Sequence, residues 1–268
     1  MARATLMSRF ARQPRWILGH VLVAVAVVVM VSLGSWQLRR LDERRADNEL
    51  VEARTRQPPA PLTALLDEDK VPGELDEIEF RRATATGTFD ADHEVLVGYR
   101  SSRGLPGFYV VTPLVLDGGR TVLVNRGFVP LAMADRWPVA DAAPPAGEVT
   151  VVGLVRDSSD GANLPEPPTA SSSAAQSKTP RTDKVDVDAI ATVLPAGRRD
   201  QLLPVQLELQ EPVPPAFPDP LPPIDLGEGP HVSYAVQWFA FSAVAVGGWA
   251  LLLRRHAART GHAHHPPA

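Results

Sequence analysis

Cysteine is absent from this 268-residue chain. Its absence excludes a disulfide framework, a thiolate copper or zinc site and a cysteine nucleophile. Lysine is scarce: Lys70, Lys178 and Lys184 are the only ones, and arginine supplies the rest of the basic charge. Sequence signatures of catalysis are also lacking. There is no G-x-S-x-G, no H-E-x-x-H, no Walker loop and no G-x-G-x-x-G after a strand, so no catalytic constellation stands out. A net charge of −4 gives no excess of cations for a nucleic-acid backbone. Arginine over lysine, with abundant Ala, Val and Pro, is the codon bias of a GC-rich bacterial genome.

Two segments are almost wholly apolar. The first, Trp16 to Gly34, carries no charge, and His20 is its only ionisable group. Its nineteen residues rise about 28 Å as a helix, close to the hydrocarbon thickness of a bilayer. The second, Tyr234 to Leu253, is as long and has Trp238 and Trp249 near its ends, where amphipathic rings favour the headgroup layer. Ala243, Gly247 and Gly248 either offer a small-residue face for close approach of the first span or reflect only that small residues are common in such segments. Arg3, Arg9, Arg12 and Arg15 precede the first span with no acid among them, and Arg254, Arg255 and Arg259 follow the second. Both termini are therefore expected in the cytoplasm and the middle of the chain outside. Arg39, Arg40, Arg44 and Arg45 run against that rule, just beyond the first span on its outer side. A signal peptide cleaved near Ser32 and Gly34, or a short presequence, are rival readings of the first run, which is long for one and brief in its leader for the other. The expected division is a cytoplasmic start at 1–15, spans at 16–34 and 234–253, an outer domain at 35–233 and a cytoplasmic tail at 254–268.

Between the spans the pattern changes. Trp36 to Leu50 reads as a helix continuing out of the membrane or lying on its surface, ended by Pro58, Pro59 and Pro61. Phe80 to Phe89, His93 to Tyr99, Phe108 to Leu116, Thr121 to Val124, Val149 to Val155 and Val205 to Leu209 alternate as strands. Asp117-Gly118-Gly119-Arg120 marks a hairpin, because the glycines tolerate positive φ. These spacings predict an antiparallel, barrel-like sheet. Residues 157–184 are poor in large apolar side chains and read as a flexible insertion. Asp186 to Leu194 predicts a short helix capped by Asp186 or Asp188. Residues 211–223 form a proline-rich arm. The fold class is thus an α+β membrane protein, two transmembrane helices flanking an antiparallel β-rich domain with a short helix.

Histidines supply the candidates for chemistry. His93 lies between Asp92 and Glu94, a conceivable acid–base pair or an exposed strand end. His256, His262, His264 and His265 cluster near the C-terminus, where such a group can bind copper or nickel or be incidental to a polar tail; no metal site is assigned on it. His231 stands immediately outside the second span, placed either to ligate an amphiphilic cofactor such as a haem or to bond a backbone carbonyl. A macrocycle there could lie against Trp238 and Phe239, with its propionates reaching Arg39 and Arg40 on the rim of the first span.

Four motifs in order carry a resemblance: Gly34-Ser35-Trp36-Gln37-Leu38-Arg39-Arg40, Gly87-Thr88-Phe89, Val122 to Pro130 around Asn125-Arg126-Gly127, and Gly229-Pro230-His231 through Phe239. Together they resemble the Surfeit locus protein 1 family of cytochrome c oxidase assembly factors, over both spans and the intervening domain. The resemblance implies a non-enzymatic role in inserting haem a into the catalytic subunit, beside that subunit and other assembly factors, in the plasma membrane of a bacterium. It implies His231 as axial ligand of haem a; Trp36, Arg39, Arg40 and Trp238, by their place on the outer rims of the two spans, are the residues expected around it. Asn125, Arg126 and Gly127 are a family hallmark; the outer two could close a strand with a tight turn, and Arg126 could bind a propionate or a partner's acid, or pin the domain internally. The alternative is a membrane-anchored scaffold or chaperone that grips its partner without a cofactor. The insertion and the histidine-bearing tail depart from the family pattern.

Overall fold

A charge-free apolar run satisfies its backbone only within itself once it leaves water, so it must be helical. In the computed structural model, which describes residues 13–66, 72–157, 179–182, 187–192 and 194–262, that run and the charged stretch after it are one helix, α1 (Pro14–Thr55). Proline at its first position costs nothing, since its missing N–H would be unpaired there. Its length is about 63 Å, roughly twice the hydrocarbon thickness, so its second half extends beyond any single crossing. The chain continues through β1 (Ala60–Pro61), α2 (Leu62–Leu65), β2 (Arg82–Phe89), β3 (Val95–Ser102), β4 (Leu105–Leu116) and β5 (Thr121–Pro130). Then come α3 (Leu131–Ala134), β6 (Glu148–Asp157), β7 (Arg181–Thr182), α4 (Val187–Ala191), α5 (Ala196–Arg199), β8 (Leu202–Glu211) and α6 (His231–His262). Helices α1 and α6 are each long and apolar enough to cross a membrane. The chain divides into two compact units, one of residues up to Glu49 with those from Asp225 on, the other of Leu50–Ile224.

The second unit is built on a closed barrel. Strand β2 pairs antiparallel with β6 from Arg82↔Leu154 to Thr88↔Glu148, and its end also pairs with β4 at Gly87↔Leu116 and Phe89↔Leu114. Gly87 makes this double pairing possible, because a Cβ there would lie 2.2 Å from the Val115 carbonyl oxygen. The order β2-β6-β8-β5-β4 thus closes on itself into five strands, with β3 and the two-residue strands β1 and β7 outside the ring. The expected antiparallel sheet holds with one exception inside the barrel. Strands β5 and β8 run parallel, from Leu123↔Gln206 to Asn125↔Glu208. The cause is topological: β6 pairs antiparallel with β8, and the chain returns beside β5 in the direction it left. This Greek-key connectivity with a single parallel pair is that of an oligonucleotide/oligosaccharide-binding barrel, an architecture that hosts many functions and dictates none.

Strand β5 is buried along nearly its whole length. Val122 and Val124 enter the barrel core with Ala83, Leu114, Val151 and Leu207. Leu123 lies instead among Val95, Val111, Val187 and Ile190, where α4 covers the barrel. Burial on both faces explains why β5 reads as a continuous apolar run. The hairpin after β4 forms as expected, with Gly118 and Gly119 at φ +90° and +87° and the Leu116 N–H donating to Arg120 O at 2.8 Å. Strands β3 and β4 are longer than their sequence pattern suggests and meet in a two-residue turn at Arg103 and Gly104, both at positive φ.

Three expectations change. His93 closes a 3₁₀ turn, Ala91–His93, and β3 begins only at Val95. Arg181 and Thr182, read as part of the insertion, pair with Leu96 and Val97 as β7; residues 158–178 and 183–186, including the Asp186 cap, lie outside the described residues. The proline-rich arm is tied to the barrel by a bridge in which Phe128 and Asp219 exchange N–H···O bonds of 2.8 Å in each direction.

Candidate functional site

In the first unit α1 and α6 run antiparallel. Going up α1, Gly19 meets Trp249, Gly34 meets Phe239, Gln37 meets His231 and Arg44 meets Gly227. Gly34 and Ala235 are buried at the seam, and a Cβ on Gly34 would come within 2.8 Å of the Phe239 ring. Small residues there let the backbones approach. They are not the predicted ones: an added Cβ on Gly247 or Gly248 meets nothing among the described residues. Ala243 and Gly247 instead line an open apolar groove with Val27, Val31, Phe239, Ser242 and Val246. Ser242 returns its hydroxyl to Trp238 O and Phe239 O, at 3.2 and 2.8 Å. At the opposite end His20, the ionisable group of the first span, accepts a hydrogen bond at its Nδ1 from Trp249 Nε1–H at 2.9 Å. The Trp16 ring lies between Trp249 and His256, with centroids 5.8 and 4.8 Å away.

At the other rim His231 is the first residue of α6 and half-buried, its Nδ1 2.9 Å from Gln37 Oε1. Successive residues turn about 100° round a helix. Tyr234, Trp238 and Phe241 follow His231 at i+3, i+7 and i+10 and so lie along one flank of α6. On α1, Trp36 and Arg40 are neighbours at i, i+4 on the corresponding side of Gln37. Arg39 is about 200° round from Gln37 and faces away. Trp36, Tyr234 and Phe241 are large and exposed, and Phe241 meets Trp238 edge-on at 6.1 Å. Arg40 is paired with Glu43 at 2.8 Å in an exposed contact that contributes little. By helical position His231 and Trp238 share one flank of α6, Trp36 and Arg40 lie on the matching side of α1, and Arg39, at i+3 from Trp36, lies farther from Gln37. Sequence reasoning missed Gln37, Tyr234 and Phe241. The signal was available in the i, i+3, i+7, i+10 spacing of His231, Tyr234, Trp238 and Phe241.

Just outside this rim the remaining arginines have partners. Arg44 donates to Gly227 O and Asp225 O at 3.2 and 2.9 Å. Arg45 binds both oxygens of Glu228, at 2.7 and 3.1 Å, and Asn48 donates to Leu226 O at 2.7 Å. The pairing with Arg45 holds the Glu228 carboxyl below its usual range.

Asn125, Arg126 and Gly127 belong to the barrel. They lie in mid-strand and do not close β5. Val111 pairs with Asn125 and Val110 with Gly127, so Arg126 has no partner across the ladder: the motif is a β-bulge. Gly127 is held at φ +133°, with the Asp219 carbonyl oxygen 2.2 Å from where a Cβ would stand. The bulge aims Arg126 at Glu94, a buried pair at 2.8 Å. Arg126 also donates to Ala142 O at 2.7 Å, and its guanidinium lies over the Phe89 ring. Glu94 further accepts Thr112 Oγ1–H and Trp137 Nε1–H, both at 2.5 Å. Burial pulls the Arg126 pKa down, and the Glu94 carboxylate opposes that shift. His93 is not Glu94's partner; its Nδ1 lies 2.9 Å from Asp90 Oδ2, which also pairs with Arg198.

A family model described as the SURF1 family matches residues 24–243. The chain belongs to the SURF1 family. An uncharacterised SURF1-like protein of Mycobacterium bovis is 30% identical over 237 residues, 88% of this chain and 82% of its own. A SURF1-like protein of Monosiga brevicollis is 32% identical over 257 residues, 90% of this chain and 89% of its own. Surfeit locus protein 1 of Xenopus tropicalis is 32% identical over 151 residues, half of this chain and 47% of its own. The SURF1 match begins inside the apolar half of α1 and ends within α6, so it takes in the rim around His231 and the barrel bulge alike. Among the described residues no group of three His, Cys, Asp or Glu could hold a metal ion. His256 lies within α6 and His262 ends it; His264 and His265 fall outside the described residues.

Proposed function

We propose that this SURF1-family chain is a non-enzymatic assembly factor for haem-copper cytochrome c oxidase. It would hold haem a at the rim of its helix pair for delivery to the catalytic subunit. The observation that carries this reading is the rim itself. An imidazole whose Nδ1 is occupied by Gln37 keeps Nε2 as its donor atom. Beside it Trp36, Tyr234, Trp238 and Phe241 offer an aromatic flank suited to a macrocycle, and Arg40 can exchange its weak exposed pairing with Glu43 for a propionate. Arg39, at i+3 from Trp36 and farther from Gln37 than Arg40, is the more distant of the two arginines proposed for the propionates. Flanking arginines at 3–15 and 254–259 support cytoplasmic termini, with the barrel on the outer side of a bacterial plasma membrane.

The test is direct. The full chain, purified from cells that make haem a, is expected to carry it in stoichiometric amount, with the Soret band lost in His231→Ala. No haem in either sample supports the scaffold reading instead. A fusion reporter finding the barrel in the cytoplasm would remove the proposed orientation.

A further inference from the structure

We infer that Gln37 is the positioning residue for His231: its side-chain oxygen fixes the imidazole as the Nδ1–H tautomer and leaves Nε2 as the free donor atom. The link to haem rests on His231 being a ligand, whereas the tautomer does not. An amide oxygen accepts and cannot donate, so the 2.9 Å contact requires the proton on Nδ1. Neutral imidazole has one N–H, and its lone pair is then on Nε2. The ring is also fixed at its backbone. Pro230 precedes it, and the Pro230 carbonyl accepts from Ser233 Oγ–H at 2.7 Å and from the Tyr234 N–H at 3.1 Å, starting α6 at His231.

Neighbouring charges do not compete for the Nδ1 proton, because Glu228 is bound to Arg45 and Glu43 to Arg40. The acceptor is therefore a neutral amide, and it comes from the other helix, 194 residues away in sequence. Histidines that ligate metals characteristically donate their second N–H to such a partner, and losing it weakens metal binding about 10–100-fold. The arrangement makes a competent ligand conditional on the two helices being paired.

The experiment uses the full chain in nanodiscs with ¹⁵N-labelled histidine, the His231 signals assigned by their loss in His231→Asn. Without haem, the His231 shifts are expected to report Nδ1–H in the parent chain and in Gln37→Glu, and Nε2–H or a mixture in Gln37→Leu. Titrated with haem a, Gln37→Leu is expected to bind about 10–100-fold more weakly. Gln37→Glu is expected to bind with a stronger iron–imidazole bond, seen as a raised Fe–N stretching frequency. A parent chain holding His231 as Nε2–H overturns the inference. So does a Gln37→Leu chain with unchanged tautomer and affinity. A parent chain with Nδ1–H that binds no haem a overturns the proposed function and leaves the positioning role intact.

Discussion

Replacing Arg126 by methionine tests whether the buried arginine of the bulge is structural. Glu94 and Arg126 are 5% and 3% exposed. Methionine keeps much of the arginine's apolar stem but leaves the Glu94 carboxylate buried with only Thr112 and Trp137 as donors. Breaking a buried pair from one side costs about 3–5 kcal/mol, mostly as uncompensated charge. At about 2–4 °C per kcal/mol for a unit of this size, the barrel's melting temperature is expected to fall by roughly 6–20 °C. Adding Glu94→Gln removes the stranded charge while keeping an acceptor for Trp137 or Thr112. The double variant should therefore be more stable than Arg126→Met alone, by at least about 1.5 kcal/mol. Denaturant unfolding of the full chain in detergent, followed by the fluorescence of Trp137, measures all four corners of the cycle. A cost below about 1 kcal/mol for Arg126→Met, or a double variant weaker than the single, would refute the reasoning.

Three other perturbations follow from the geometry. Gly127→Ala drives a Cβ into the Asp219 carbonyl at a φ that alanine avoids, and should cost about 3 kcal/mol and free the 211–223 arm to protease. Gly34→Leu should part the two long helices. Its readout is the yield of a bismaleimide bridge between Gln37→Cys and His231→Cys, made clean by the cysteine-free background, which should fall to a small fraction. Burial raises the Glu208 carboxyl above its ordinary value, with Arg156 pulling the other way. The folded chain then binds that proton more tightly than the unfolded one, so stability declines as pH rises from the ordinary carboxylate value to the raised one. Glu208→Gln should flatten that stretch of the unfolding midpoint against pH.

The spans were legible because a charge-free run of nineteen residues has one physical solution in lipid, and the barrel because alternation and a Gly-Gly turn act locally. Which helix faces meet was not legible. Both spans are apolar all round, so hydropathy cannot distinguish the seam at Gly34 and Ala235 from the open groove lined by Ala243 and Gly247. Periodicity places Arg39 on the far side of α1 from Gln37, about 60° from Trp36. The parallel β5–β8 pair was hidden for another reason: strand direction is set by the long-range path of the chain, not by either strand's residues. The bulge escaped because Asn125 and Gly127 look alike in a turn and in a bulge; what separates them is the Asp219 carbonyl, about ninety residues downstream.

The clamp between Arg45 and Glu228 spans 183 residues of sequence. At about 5–20 residues per second of synthesis, roughly 10–40 s pass between making the arginine and making its acceptor. Throughout that interval Arg44 and Arg45 lack the partners at Asp225, Gly227 and Glu228, and have only water and the acids of their own helix, Asp42, Asp47 and Glu49. The later segment around Asp225 and Glu228 must displace those partners, so completing the hairpin is an exchange of partners. The rate at which the hairpin closes should accordingly depend on ionic strength, which screens the exposed pair of Arg45 and Glu228.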